Sequence, residues 1–213
     1  GITESLKDGS YTLSGTLNDE DEKWPEVGAN SLLSLGEEWV VEGSAFTNSG
    51  ETTELSIESD VEARFQLEVH VGISGNGVVS SIQYERDDVA DYQEQYFNNY
   101  DHTGNNNGTF RIRNSASEKT FHIEWLDGAE WKNLNSLNWE TGTLSKSANS
   151  NGSSSTQLND WETMESFYFN PQMEFSVPDS MTINKGDYGF TNFSVIEGAP
   201  VTAPSSLVGK KIR

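Results

Sequence analysis

The sequence predicts an all-β fold, a two-sheet antiparallel β-sandwich of the jelly-roll kind, on three observations. Apolar residues recur at every second position over several segments, clusters of Gly, Asn and Ser separate those segments, and helical spacing is confined to one short stretch. Alternation of this kind places successive side chains on opposite faces of a strand. Short alternating strands broken by turn residues are the pattern of a sandwich.

The clearest run begins at Leu55. Its odd positions include Leu55, Ile57, Val61, Phe65, Leu67, Val69, Val71 and Ile73, and its even positions include Glu54, Ser56, Glu58, Arg64, Gln66, Glu68 and His70. The odd side belongs in a core and the even side faces away from it. A bend near Glu58, Ser59 and Asp60 divides the run into two strands. Before it, Tyr11, Leu13, Gly15 and Leu17 alternate in one strand, and Trp39 and Val41 in another. After it come Phe110 and Ile112, then Phe121, Ile123 and Trp125, with Ser115 to Glu118 as a hairpin loop and Asp127-Gly128 as a closing turn. Phe167 and Phe169, then Met173, Phe175 and Val177, and finally Phe193 and Val195 complete the set. One stretch departs from the pattern. Val89, Tyr92, Tyr96, Phe97 and Tyr100 share a helical face behind Asp87 and Asp88, so at most one short helix is expected near 88–100, with a tyrosine-rich loop as its rival. Residues 1–198 are expected to form one domain and 199–213 an extended C-terminal tail.

Composition narrows the partners. The chain has 213 residues and a formal charge of −21, with 34 acidic against 13 basic side chains. Such a field repels nucleic-acid phosphates and anionic bilayers, so neither nucleic acid nor membrane insertion is expected. No stretch reaches the about 18 consecutive apolar residues of a membrane helix. Cysteine is absent, which removes disulfides and thiolate metal sites. Six Trp and seven Tyr supply the large apolar surfaces that a chain this polar needs to fold.

Four constellations carry candidate chemistry. Arg64, Gln66, Glu68 and His70 lie on one face of one strand and offer a fork donor, an amide, a carboxylate and an imidazole, the inventory of a sugar-binding groove. Trp131 and Trp139 flank an Asn-rich run and offer aromatic faces for sugar rings. The acidic clusters Asn18 to Glu22 and Asp87, Asp88 and Asp91 accommodate Ca²⁺, the one cofactor suggested, although neither has the spacing of a calcium loop and no metal ligand is assigned. The tail carries Lys210, Lys211 and Arg213, a basic arm able to join identical acidic copies into a homo-oligomer. No nucleophile elbow, phosphate loop or zinc-protease motif is present, and no catalytic residue is assigned.

The alternating pattern as a whole resembles the concanavalin A-like lectin and glucanase superfamily at the level of fold. Its laminarinase-type glucanases carry Glu-x-Asp-x-Glu on one strand. Here Glu54-Leu55-Ser56-Ile57-Glu58 has the outer carboxylates and Ser56 in the central place. Alginate-lyase jelly rolls are a second resemblance, through Gln66, His70 and Tyr96 to Tyr100, without that family's spacing. Arg111 and Arg113, with Arg64, are the groups that would have to make a groove basic for a uronate polymer. The all-β pattern, its polar strand face and the Asn-rich, aromatic loops lead to the expectation of a non-catalytic, lectin-like carbohydrate-binding domain with a polysaccharide or glycan as partner, placed outside cells or on a virion surface. Two alternatives stand beside it: a virion, fibre or filament subunit, and a polysaccharide hydrolase or lyase acting through Glu54 and Glu58 or through His70 and Tyr96.

Overall fold

The computed structural model describes residues 2–7, 10–16, 26–28, 32–47, 52–59, 65–74, 77–86, 93–101, 107–150, 152–164, 168–176, 182–183, 188–197, 205–206 and 211–212. Nineteen strands lie among them: β1 Ile2–Lys7, β2 Ser10–Thr16, β3 Glu26–Gly28, β4 Leu33–Ser34, β5 Trp39–Thr47, β6 Thr52–Ser59, β7 Phe65–Ser74, β8 Gly77–Arg86, β9 Gln93–Asp101 and β10 Asn107–Ser115. β11 Thr120–Asp127, β12 Glu130–Asn138, β13 Thr143–Lys146, β14 Ser154–Gln157, β15 Tyr168–Ser176, β16 Thr182–Ile183, β17 Tyr188–Glu197, β18 Ser205–Ser206 and β19 Lys211–Ile212 complete the order.

They form two antiparallel sheets. Sheet A runs β1-β2-β17-β5-β10-β11-β12-β13-β14, with β16 and β18 at its side, and sheet B runs β19-β3-β15-β6-β7-β8-β9, with β4 beside β15. The all-β sandwich expected from alternation is the fold found.

The inner faces are the predicted apolar sides. Leu55 and Ile57 of β6 and Leu67, Val69, Val71 and Ile73 of β7 are fully buried, opposite Val41, Phe110, Ile112, Phe121 and Ile123 of sheet A. Phe121 meets Phe169 edge-to-face with ring centroids 5.2 Å apart, a geometry that adds to the burial of both rings. Buried amides tie elements together: Asn114 Nδ2 donates to the carbonyls of Leu35 and Glu37, and Asn135 Nδ2 donates to Ser80 Oγ across the sheets.

Residues 93–101 correct one expectation. They are a strand, not part of a helix, pairing from Gln93↔Tyr84 to Asp101↔Gly77 with a bulge at Val78/Val79. Tyr and Phe favour a pleated surface, and the open edge of the ten-residue β8 gives the backbone of that segment a ladder to join. Val89 and Tyr92 lie outside the described residues. Of the C-terminal segment, β18 pairs with β17 and β19 with β3 of the same chain.

In the middle of sheet B, β15, β6 and β7 are adjacent. Their register sets three residues side by side in one row, Gln172, Ser56 and His70, and continues through Ser81 of β8 to Tyr96 of β9. Pro171, which has no N–H to give, falls between the residues that β4 and β3 pair, so neither ladder lacks a donor there.

Candidate functional site

The outward side of β6 and β7 carries what alternation placed there: Glu54, Ser56 and Glu58, and Gln66, Glu68 and His70. β15 adds Gln172 and Glu174 beside them. These side chains close a ring of contacts. His70 Nε2 lies 3.2 Å from Glu68 Oε2, and Gln66 Nε2 donates to Glu68 Oε1 at 2.6 Å and to Glu58 Oε1 at 2.9 Å. On the other side of the ring Gln172 Nε2 donates to Glu58 Oε2 at 3.3 Å and to Glu174 Oε1. Glu174 Oε2 returns to His70 Nδ1 at 3.5 Å, and Glu54 Oε2 lies 3.4 Å from the same nitrogen. Ser56 sits at the centre, fully buried, with its hydroxyl donating to Glu174 Oε1 at 2.7 Å.

His70 differs from the expectation in one respect. It is on the polar face but only 4% exposed, because carboxylates on three strands close over it. Gly72 makes the closure possible. It stands opposite Glu54, and a Cβ there would lie 2.4 Å from the Thr53 carbonyl oxygen and 2.6 Å from Glu54 Cγ.

Burial pushes the His70 imidazolium toward losing its proton, and the carboxylates of Glu54, Glu68 and Glu174 outweigh that, holding its pKa well above the usual histidine value. Burial raises the Glu174 carboxyl, with the Glu54 charge adding to the rise, while His70, Ser56 and Gln172 oppose it. Ionisable groups displaced from their ordinary values and gathered on one face are a mark of a functional site.

The structure separates the residues that the sequence offered as candidates. Gln66, Glu68 and His70 are brought together, and Arg64 lies outside the described residues. Glu54 and Glu58 share the face but engage different partners, Glu54 the imidazole and Glu58 the two amides. Tyr96 occupies the register row of His70 and Ser81. Trp131 is on β12 of the other sheet, with the Arg111 guanidinium 4.1 Å above its ring. Trp139 is 9% exposed and belongs to the core, its Nε1 donating to Asn114 Oδ1 at 3.1 Å. Arg111 and Arg113 are on sheet A, where both face Glu124, and so do not converge with Gln66 and His70. The acidic clusters at 18–22 and 87–91 lie outside the described residues.

Sequence reasoning missed Gln172 and Glu174. Their signal was present, since Gln172 and Glu174 alternate with Met173 and Phe175. Nothing in that alternation says that β15 lies against β6, more than a hundred residues earlier. An open cavity of about 640 Å³ on sheet A, lined by Ser44, Thr109, Asp127 and neighbours, has Asp127 as its one ionisable group and offers no comparable chemistry.

No protein-family model and no curated protein matches the chain. Solved structures do. The catalytic domain of PdAgaC superposes with a TM-score of 0.59 at 9% identity, over 94% of this chain and 78% of that one. The likeness is one of fold, an antiparallel two-sheet β-sandwich. Alginate lyase A1-II′, a member of polysaccharide lyase family 7, matches at TM-score 0.46 and 12% identity over 92% and 78% of the two chains. An alginate lyase from Pseudomonas aeruginosa matches at 0.46 and 11% over 91% and 85%.

Proposed function

We propose that this chain binds a neutral polysaccharide across the polar face of sheet B and hydrolyses it, acting outside the cell where such polymers lie. The observation that carries this reading is the pair Glu58 and Glu68. They are cross-strand partners on the outward face, close enough that the single amide nitrogen of Gln66 reaches both. Retaining glycoside hydrolysis needs two carboxyls about 5–5.5 Å apart, one attacking the anomeric carbon and the other protonating the departing oxygen and then activating water. His70 stands beside Glu68, so Glu68 is assigned as the nucleophile, which carries the charge. Glu58, held by Gln66 and Gln172, is assigned as the acid and then the base.

A neutral polymer is favoured by charge. Among the described side chains of this face there is no lysine or arginine, so a uronate or sulfate would meet only carboxylates and one imidazole. Gln66, Gln172 and Ser81 are polar groups of the kind that exchange hydrogen bonds with sugar hydroxyls.

The test is a reducing-end assay on neutral and uronate polysaccharides, with Glu58→Gln and Glu68→Gln alongside the unaltered chain. New reducing ends from a neutral polymer, lost in both variants, are expected. Activity surviving in both variants, or unsaturated products from uronates, overturns the assignment. Binding of a neutral polymer without cleavage would return the face to non-catalytic sugar recognition.

A further inference from the structure

We propose that Glu54, His70 and Glu174 form a binding site for a divalent transition ion of the zinc type on the polar face of sheet B. Acidic residues grouped on a surface do not make such a site. The deciding feature is His70 Nδ1, a buried ring nitrogen with no hydrogen-bond partner, aimed between two carboxylates. It lies 3.4 Å from Glu54 Oε2 and 3.5 Å from Glu174 Oε2, long contacts whose geometry makes a hydrogen bond to neither. A proton on this nitrogen makes a well-formed hydrogen bond to neither carboxylate, and an ion that displaces it would be held by all three groups at once.

The spacing fits an ion. One ligand atom from each of the three residues lies within 4.8 Å of the other two. A tetrahedral zinc bound by nitrogen and oxygen at about 2.0–2.1 Å sets its ligand atoms about 3.4 Å apart, which is the spacing of Nδ1 from each carboxylate. The surroundings are those of a prepared ligand set. His70 Nε2 faces Glu68 Oε2 at 3.2 Å, the carboxylate–imidazole contact that orients a metal-bound histidine and leaves its other nitrogen free to coordinate. Glu174 has one oxygen occupied by Ser56 and Gln172, and its second is the one turned to His70.

The backbone holds these groups in place. Glu174 and Glu54 are cross-strand partners on β15 and β6, and Gly72 leaves room for the Glu54 side chain beside His70.

The ligand types select the ion. Calcium takes six to eight oxygens, whereas imidazole with two carboxylates suits zinc and its first-row neighbours. An ion that binds Nδ1 releases its proton to solvent, and the neutral imidazole with two ionised carboxylates then balances a dication. Three protein ligands leave a fourth position toward the polar face, as in sites where a metal meets water or a hydroxyl. This site is independent of the hydrolytic reading, since a chain that cleaves nothing would still bind the ion.

The experiment is calorimetric titration of Zn²⁺ into the full chain after chelator treatment, with Co²⁺ absorption as a second readout. The expected result is one ion per chain and visible Co²⁺ bands of low-symmetry, four-coordinate type. Glu54→Gln and His70→Gln are expected to abolish both, and Glu68→Gln to weaken affinity by about 10–100-fold. Glu124→Gln, on the other sheet, leaves binding unchanged, and circular dichroism verifies that each variant is folded. No stoichiometric binding to the folded chain, or binding that Glu54→Gln and Glu68→Gln both leave intact, overturns the proposal and assigns the space between the three groups to a proton. Neither result depends on any polysaccharide assay.

Discussion

The two outward faces of the sandwich are built from the same kind of alternating strand and treat charge in opposite ways. On sheet A, Glu124 sits beneath Arg111 at 2.5 Å and near Arg113 at 3.6 Å, Lys132 reaches Glu130 at 2.6 Å, and Lys119 pairs with Glu140. On sheet B, Glu54, Glu58, Glu68 and Glu174 share one imidazole and two amides. Sheet A therefore carries these acids in ion pairs with arginine or lysine, the exposed ones worth little and the covered Glu124 more. Sheet B holds several carboxylates together without a lysine or arginine among the described side chains, an arrangement that folding alone does not reward. A cluster that would repel itself is the setting in which the proposed sugar and ion sites would be completed by their ligands.

The sharpest way to break this contrast is to neutralise one carboxylate on each face. On sheet B, Glu58→Gln or Glu68→Gln should lower the turnover of a neutral polysaccharide by about 10²–10⁴-fold, read from initial rates, with the far-ultraviolet spectrum unchanged. On sheet A, Glu124→Gln should leave turnover alone. It should instead lower stability by about 1–3 kcal/mol in urea titration, because two partly covered guanidiniums lose their counter-charge. If Glu124→Gln abolished turnover and Glu68→Gln did not, the roles of the faces would be exchanged.

A backbone test comes next. Gly72→Ala puts a methyl group 2.4 Å from the Thr53 carbonyl and displaces Glu54, so a loss of about 1–3 kcal/mol is expected together with weakened Zn²⁺ binding. Wild-type affinity for the ion in that variant would show that Glu54 is not held as described.

The smallest effect concerns Glu42, on the sheet A face beside Arg111. Its burial raises the carboxyl above the usual glutamate value, and the Arg111 charge only partly opposes this. The folded chain thus holds that proton more tightly than the unfolded chain does. The stabilisation this brings is full below the unfolded pKa and is lost as pH rises through the folded one. Glu42→Gln should therefore melt slightly higher than the unaltered chain above that window and gain nothing below it. Thermal melts across the acidic range measure the difference, and a variant that is less stable at neutral pH would contradict it.

Much of this was legible in the chain and some was not. Leu55 to Ile73 alternate so strictly that the inward and outward sides follow from period two, and the polar Glu58, Ser59 and Asp60 mark the break between β6 and β7. The same reasoning placed Gln66, Glu68 and His70 on one face. It failed for 93–101, where Tyr96, Phe97 and Tyr100 fit a helical face and a strand equally until β8 supplies the ladder. Trp139 looked available for a ligand because it ends an Asn-rich run. Only the fold brings Asn114 to its indole nitrogen and turns the ring inward.

Residue order alone settles which side of each strand is greasy and which is polar, because successive side chains on an extended backbone must point opposite ways. Which polar sides become neighbours is a property of the assembled sandwich. β15 carries Gln172 and Glu174 to β6 and β7 from more than a hundred residues away, and no local preference encodes that approach. Strand order comes from how two whole apolar faces fit together. The setting of His70, a buried imidazole among carboxylates of three strands, exists only once that fit is made.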